Sequence, residues 1–265
     1  MIDPERLFVH VPYALLAQYR HVVQRAGLPL EVFVEAENLE VSTLEAMAAE
    51  LSALKAIAGR VAIHAPYEDI DPGHPVEDKR EEALRLLTMA CALAQATDAS
   101  YVVAHTGYDP AQAASDPAGW LARSLETWQA LLAQPASDGV ALALEHMLEP
   151  EPSLVRALVE SLPAHRVGVC LDTGHLNCFA RSSPSAWWAA LGDRIAVLHL
   201  HDNRGQDDEH LGIGEGTFDF GALFRWLQRS NSTPFATIEG RDSQAVVTSL
   251  SALGYPVDLT LLDGA

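Results

Sequence analysis

GVCLDTGHLNCF, residues 168–179, begins as an apolar strand and then places Asp172, Thr173, Gly174 and His175 in four consecutive positions. A strand that is apolar on nearly every residue is buried on both faces, as in a parallel sheet covered by helices. Such a strand gains no stability from ending in an acid followed three residues later by a histidine. The polar end therefore points to a task performed where the strand stops.

Working outward, seven further apolar, β-branched runs share this character: RLFVHV (6–11), LEVFVE (30–35), RVAIH (60–64), YVVAH (101–105), VALALE (140–145), IAVLHL (195–200) and FATIE (235–239). Segments with apolar residues at three- and four-residue spacing lie between them, such as STLEAMAAELSALKAIAG, EEALRLLTMACALAQA and FGALFRWLQRS, the pattern of amphipathic helices. Eight strand–helix units predict a single parallel (β/α)8 TIM barrel, here one domain over residues 1–265. A doubly wound open sheet would carry a Gly-rich phosphate turn after its first strand, and VHVPYALL has none. The stretch YEDIDPGHPVEDKREE (67–82) reads as one extended loop opening a helix, and after a third strand it belongs to the face that bears barrel active sites.

The net charge of -19, from 36 acidic and 17 basic side chains, disfavours a polyanionic partner, because nonspecific binding of nucleic acid relies on cationic side chains. It suits a pocket that holds cations. Cys91, Cys170 and Cys178 lack the paired spacing of a thiolate zinc site and read as packing thiols. The N-terminal MIDPERLFVHVPY has no basic segment followed by a long apolar one, and no run of 18 apolar residues occurs, so a cytoplasmic protein without a membrane partner is expected.

Nearly every strand repeats the polar ending of the opening stretch. His64, His105, Glu145, Asp172, His199 and Glu239 close strands three to eight, with His175 just past strand six and Asp208 and His210 in the loop after strand seven. A closed barrel would gather these five imidazoles and four carboxylates at one mouth. Carboxylates crowded without compensation raise one another's pKa, and divalent cations remove the repulsion. Imidazole and carboxylate without thiolate suit zinc best, with manganese or iron as alternatives, and nine donors predict two or three ions per chain. His146 follows Glu145 and so points the other way, packed or hydrogen-bonded. His10 and Glu35 either reach the pocket floor or serve a structural purpose. His201, of the same parity as His199, and the nearby Arg204 and Arg241 are candidate substrate contacts, with solvated loop positions as the alternative for all three.

IHAPY (63–67), VVAHTG (102–107), LALEH (142–146), GVCLDTGH (168–175), LHLHDN (198–203), DEHLGIGEG (208–216) and TIEG (237–240) resemble the xylose-isomerase-like TIM-barrel superfamily, within it the endonuclease IV branch, AP endonuclease family 2. The resemblance implies three metals: one on His64, His105 and Glu145, a second on Glu145, Asp172, His199 and Glu239, and a third on His175, Asp208 and His210. It also implies phosphodiester cleavage by a metal-generated hydroxide. The sister branch of sugar isomerases and epimerases uses one ion on two Glu, an Asp and a His, which Glu145, Glu239, Asp172 and His199 match equally. The additional donors favour hydrolysis of a phosphoester or phosphodiester in a small sugar-phosphate substrate, with Glu145, Glu239 and His175 as candidate catalytic residues. The alternative is a metal-dependent sugar or sugar phosphate isomerase or epimerase using Glu145 and Glu239 as the acid/base pair. Short spans around strand six, together with the acidic charge, argue against duplex DNA and so against an AP-site endonuclease. The oligomeric state is not legible.

Overall fold

The computed structural model describes residues 2–18, 27–39 and 41–255. Eight parallel strands form a closed barrel in sequence order: β1 (Leu7–Pro12), β2 (Leu30–Phe33), β3 (Val61–His64), β4 (Val102–His105), β5 (Leu142–Glu145), β6 (Val167–Asp172), β7 (Ile195–Leu200) and β8 (Phe235–Ile238). Each predicted run holds one strand whose ends agree with it to within two residues; β1 extends one residue past its run, to Pro12. β8 pairs with β1 through Leu7↔Ala236 to Val9↔Ile238, which closes the sheet and leaves no edge.

Alternation along each strand divides the side chains between two apolar clusters. Leu30, Val32, Val61, Ile63, Leu142, Leu144, Val169, Leu171, Leu198 and Leu200 belong to the large cluster beneath the helices. Phe8, Ala62, Tyr101, Val103, Ala143, Cys170 and Val197 form a second cluster that fills the barrel. Its base is aromatic, with the Phe8, Tyr101 and Phe235 rings 5.1 to 5.7 Å apart. Two positions further along β5, β6 and β7 the same inward parity reaches Glu145, Asp172 and His199. The parity that fills the core thus delivers the polar strand ends to one mouth.

The helices that cover the sheet include α1 (Val41–Ala58), α2 (Glu77–Thr97), α3 (Pro117–Leu132) and α4 (Ser153–Glu160), followed by the short α5 (Thr173–Cys178), α6 (Pro184–Leu191), α7 (Phe220–Ser230) and α8 (Ser243–Ala252). Trp187 and Trp188 on α6 are buried. The loop after β3 runs to Val76 before α2 begins, and its Asp71 accepts from Gly73 N–H and from the Trp120 indole of α3. No described helix is long and apolar enough to cross a membrane.

The loop after β7 is tied down by one buried carboxylate. Asp202 accepts from the backbone N–H groups of Asn203, Gly214, Gly216 and Phe218 at 2.9 to 3.1 Å, while its own backbone pairs with Leu211 in both directions. This clamp sets the path of the segment carrying Asp208 and His210. Asp202→Ala leaves those four donors without their anion, and a loss of about 3 kcal/mol of stability is expected, read as a lowered urea midpoint. A midpoint equal to that of the parent would show that the carboxylate does not hold the loop.

Candidate metal centre

His64, His105, Glu145 and Asp172 are the terminal residues of β3 to β6, His199 is next to last in β7, and Glu239 follows β8 directly. All are buried, as is His175 one turn into α5. α5 starts there because Asp172 is its N-cap, with Oδ1 accepting from His175 N–H at 2.7 Å. One oxygen of Asp172 therefore starts the helix and the other, Oδ2, faces the mouth.

Glu145 sits at the centre. Its Oε2 lies 3.2 Å from Nε2 of both His64 and His105, and its Oε1 lies 3.2 Å from His199 Nδ1 and 3.3 Å from His175 Nδ1. Glu239 Oε1 approaches the same His199 Nδ1 at 3.2 Å. On the outer side, Asp208 Oδ2 is 3.4 Å from His175 Nε2 and 3.2 Å from His210 Nε2. The nine residues expected to hold metal thus lie together at one end of the barrel.

Proton placement tests whether cations fit here. His64 Nδ1 lies 2.8 Å from the Ala65 carbonyl and His175 Nδ1 2.9 Å from the His146 carbonyl, and a carbonyl can only accept. In their neutral forms these rings therefore direct Nε2 lone pairs at carboxylate oxygens. Only an added proton or a cation makes that arrangement favourable. Without a cation, protons would fill the gap: burial disfavours the His175 imidazolium, yet Asp172, Asp208 and Glu145 hold its pKa up to about 10. Burial likewise opposes charging His210, and the hydrogen bond to Asp208 raises it to about 9. Burial pushes the carboxyls of Glu145, Asp172 and Asp208 up, but the surrounding imidazoles hold all three well below the usual range. His105 is pulled down by burial and keeps a lone pair available.

Several donor groups are tight enough to hold an ion, with ligand atoms within 4.8 Å of one another: His64, His105 and Glu145; Glu145, Asp172 and His175; and His201, His210 and Glu239 among them. Asp208 Oδ1 and His201 Nδ1 are buried without a hydrogen bond among the described residues. A hard, O- and N-donor set of this kind fits a divalent cation.

The remaining candidates fall into three situations. His201 is fully buried, its Nε2 2.9 Å from Asp172 Oδ2 and its ring stacked on His210 at 4.0 Å. His146 is packed on Trp187 and accepts from Asp172 N–H through Nε2, away from the mouth as its parity required. Arg204 and Arg241 lie outside the cluster, exposed and paired with Glu209 and Asp242. Glu35 does not reach the pocket floor: it is exposed beyond the end of β2, where the chain turns into a short 3-10 helix. His10 does reach the floor, with Nε2 3.9 Å from Glu239 Oε1.

Two groups escaped the sequence reading. Glu31, within β2, is completely buried beneath His199, with Oε1 3.0 Å from Nε2. Burial pushes its carboxyl up, and His199, His64 and His10 bring it down to about 2. The signal was present, since Glu31 is the acid inside LEVF at the parity of an inward position. Phe33 and Tyr67 form an aromatic wall, with Tyr67 stacked on His105 at 5.0 Å and on Phe33 at 5.2 Å.

The family model for the xylose isomerase-like TIM barrel matches residues 29–255. An uncharacterized protein of Methanocaldococcus jannaschii is 27% identical over 202 residues, covering 73% of this chain and 68% of that protein. A probable endonuclease 4 of Natranaerobius thermophilus is 28% identical over 212 residues, covering 67% and 68%. Among solved structures, a D-tagatose 3-epimerase-like protein superimposes with a TM-score of 0.77 at 22% identity over 97% of both chains. A D-psicose 3-epimerase of Clostridium cellulolyticum, solved with D-tagatose, has a TM-score of 0.69 at 17% identity, covering 94% of this chain and 97% of that one. The chain belongs to the xylose isomerase-like TIM barrel family.

Proposed function

We propose that this protein is a divalent-metal-dependent sugar or sugar phosphate epimerase or isomerase. The observation that carries the reading is the convergence of Glu145, from β5, and Glu239, from the end of β8, on His199 Nδ1 at 3.2 Å each. Glu145, Asp172, His199 and Glu239 would hold the ion, which would polarise a ketose carbonyl and its neighbouring hydroxyl and so acidify the C–H bond between them. One glutamate then takes the proton from that carbon and the other returns one from the opposite face, which inverts the centre; return to the adjacent carbon isomerises the sugar. Tyr67 and Phe33 line the mouth with aromatic faces suited to the C–H face of a sugar. The sugar epimerases that share the fold support the same choice, in preference to the hydrolysis expected from the donor count.

One observation favours hydrolysis as the second reading. Glu145 presents one oxygen to His64 and His105 and the other to His175 and His199, the placement of a carboxylate bridging two ions. A site with two or three ions suits a small phosphoester, where one cation activates water and another stabilises the leaving oxygen. The charge of -19 weighs against a duplex substrate in either case.

Incubation of the zinc- or manganese-loaded protein with ketopentoses, ketohexoses and their phosphates in D2O separates the two. Deuterium entering the carbon beside the carbonyl, seen by NMR, is the expected result. Release of phosphate or alcohol from phosphoesters without exchange would replace the epimerase reading with the hydrolase. Glu145→Gln is expected to lower turnover at least about 100-fold, the lower range for loss of a positioned acid or base, and to reduce bound metal in elemental analysis. Full turnover with unchanged metal content would remove Glu145 from the site.

The protonated imidazoles also set a pH dependence. His175 and His210 have folded pKa values raised from 6.5 to about 10 and about 9, so their contribution to metal-free stability is complete below about 6.5 and fades as pH rises through those values. A bound cation displaces the same protons. The thermal stabilisation by zinc is therefore expected to grow between about pH 6 and about pH 8, where proton competition weakens. A zinc-induced shift that is constant over that interval would mean the two histidines keep their protons.

A further inference from the structure

Beneath the mouth, inside the barrel, a file of polar groups crosses a layer otherwise filled by Phe8, Ala62, Val103 and Val197. Tyr101, at the head of β4, lies 3.0 Å from Thr237 Oγ1, and Thr237 Oγ1 donates to Glu31 Oε2 at 2.7 Å. A threonine hydroxyl has one hydrogen, so Tyr101 is the donor to Thr237. Glu31 Oε1 lies 3.0 Å from His199 Nε2, an ion-pair contact, and neither atom has a hydrogen-bond partner among the described residues. Cys170 also neighbours His199, but a buried thiol is a weak acceptor. Glu31, Tyr101, Thr237 and His199 are all buried, from 0% to 3% exposed, so no solvent rearrangement substitutes for these contacts.

A carboxylate in the core of a barrel costs stability unless it is paired. Its position beside Nε2 rather than Nδ1 gives it a specific effect. A proton held on Nε2 leaves the Nδ1 lone pair directed at the mouth, where Glu145 and Glu239 converge. We infer that Glu31 is a positioning residue for the metal centre: it fixes the tautomer and ring orientation of His199 from below, and Thr237 and Tyr101 hold Glu31 in place. The inference rests on the metal-binding half of the reading above and is independent of the reaction catalysed.

The test is zinc affinity by competition with a chromophoric chelator, with ion count by elemental analysis and the ring N–H proton of His199 followed by NMR in the zinc-loaded protein. Glu31→Leu removes the acceptor at similar volume, and zinc binding is expected to weaken about 10- to 100-fold with the number of ions unchanged. The His199 N–H resonance is expected far downfield in the parent and shifted back upfield in Glu31→Leu. Glu31→Gln retains an acceptor and should recover most of the affinity and the downfield proton; if Glu31→Leu does not fold, the proton position in Glu31→Gln carries the test. Parental affinity in Glu31→Leu, or an upfield N–H in the parent, would overturn the inference. Loss of one ion from Glu31→Leu with the others bound as before would make Glu31 a ligand and overturn it too. A parent protein that takes up no zinc would remove the metal reading itself, a different failure from a parent and Glu31→Leu that bind equally.

Discussion

Lone pairs facing carboxylates are the constraint around which this structure is arranged. At His64 and His175 a backbone carbonyl takes the Nδ1 proton and leaves Nε2 turned toward Glu145 or Asp208. Those contacts are attractive only with positive charge between the partners. Without a cation, protons would provide it, since the carboxylates hold two imidazole pKa values up near 9 and 10. A bound cation would do so with better geometry and without closing the donors to chemistry. The same constraint explains why the cluster is built on strand ends: a flexible loop would relax until the acids reached solvent, whereas strands bonded on both sides hold them together.

The barrel supplies that rigidity by using one parity for two purposes. Val197 and Cys170 pack the interior, and the next inward positions, His199 and Asp172, belong to the site. The change from apolar to polar takes place within one strand and in one step, so packing around the lower residues orients the upper ones. Asp172 shows the economy of the arrangement, since one oxygen caps α5 while the other faces His201 and the mouth. The outer segment needs its own anchor because it is no strand, and Asp202 provides it through four backbone donors.

Legibility in the sequence followed this physics. Runs such as VGVCLD and IAVLHL announce strands buried on both faces, and the eightfold repeat of strand and helix left the barrel as the consistent solution. The terminal His and Asp or Glu residues stood out because apolar runs do not end that way for stability. Glu31 was harder to recognise: it lies within its run, where a single acid is masked by apolar neighbours, and its partner comes from β7 on the far side of the barrel. Arg204 and Arg241 were unreadable for the opposite reason. Exposed loop side chains have no packing partner to fix them, and both pair with a neighbouring acid in place of the mouth. Glu35 failed because it stands two residues past the end of β2, at the N-cap of a 3-10 helix, where its side chain is exposed.

The choice between epimerisation and hydrolysis turns on Glu145. A carboxylate engaged through both oxygens by His64, His105, His175 and His199 is well suited to bridging ions, and a bridging carboxylate has little basicity left for a substrate proton. Glu239 differs: its close contact is His199 through Oε1, its other oxygen is no nearer than 3.8 Å to an imidazole, and its side chain keeps 8% of its surface exposed. An epimerase needs two competent carboxylates, whereas a hydrolase needs the bridge. Occupancy at His64 and His105 is what changes Glu145 from one condition to the other. If those two imidazoles stay free of metal, Glu145 Oε2 can turn to a sugar. If they bind an ion, the same oxygen is committed and only Glu239 remains as a base.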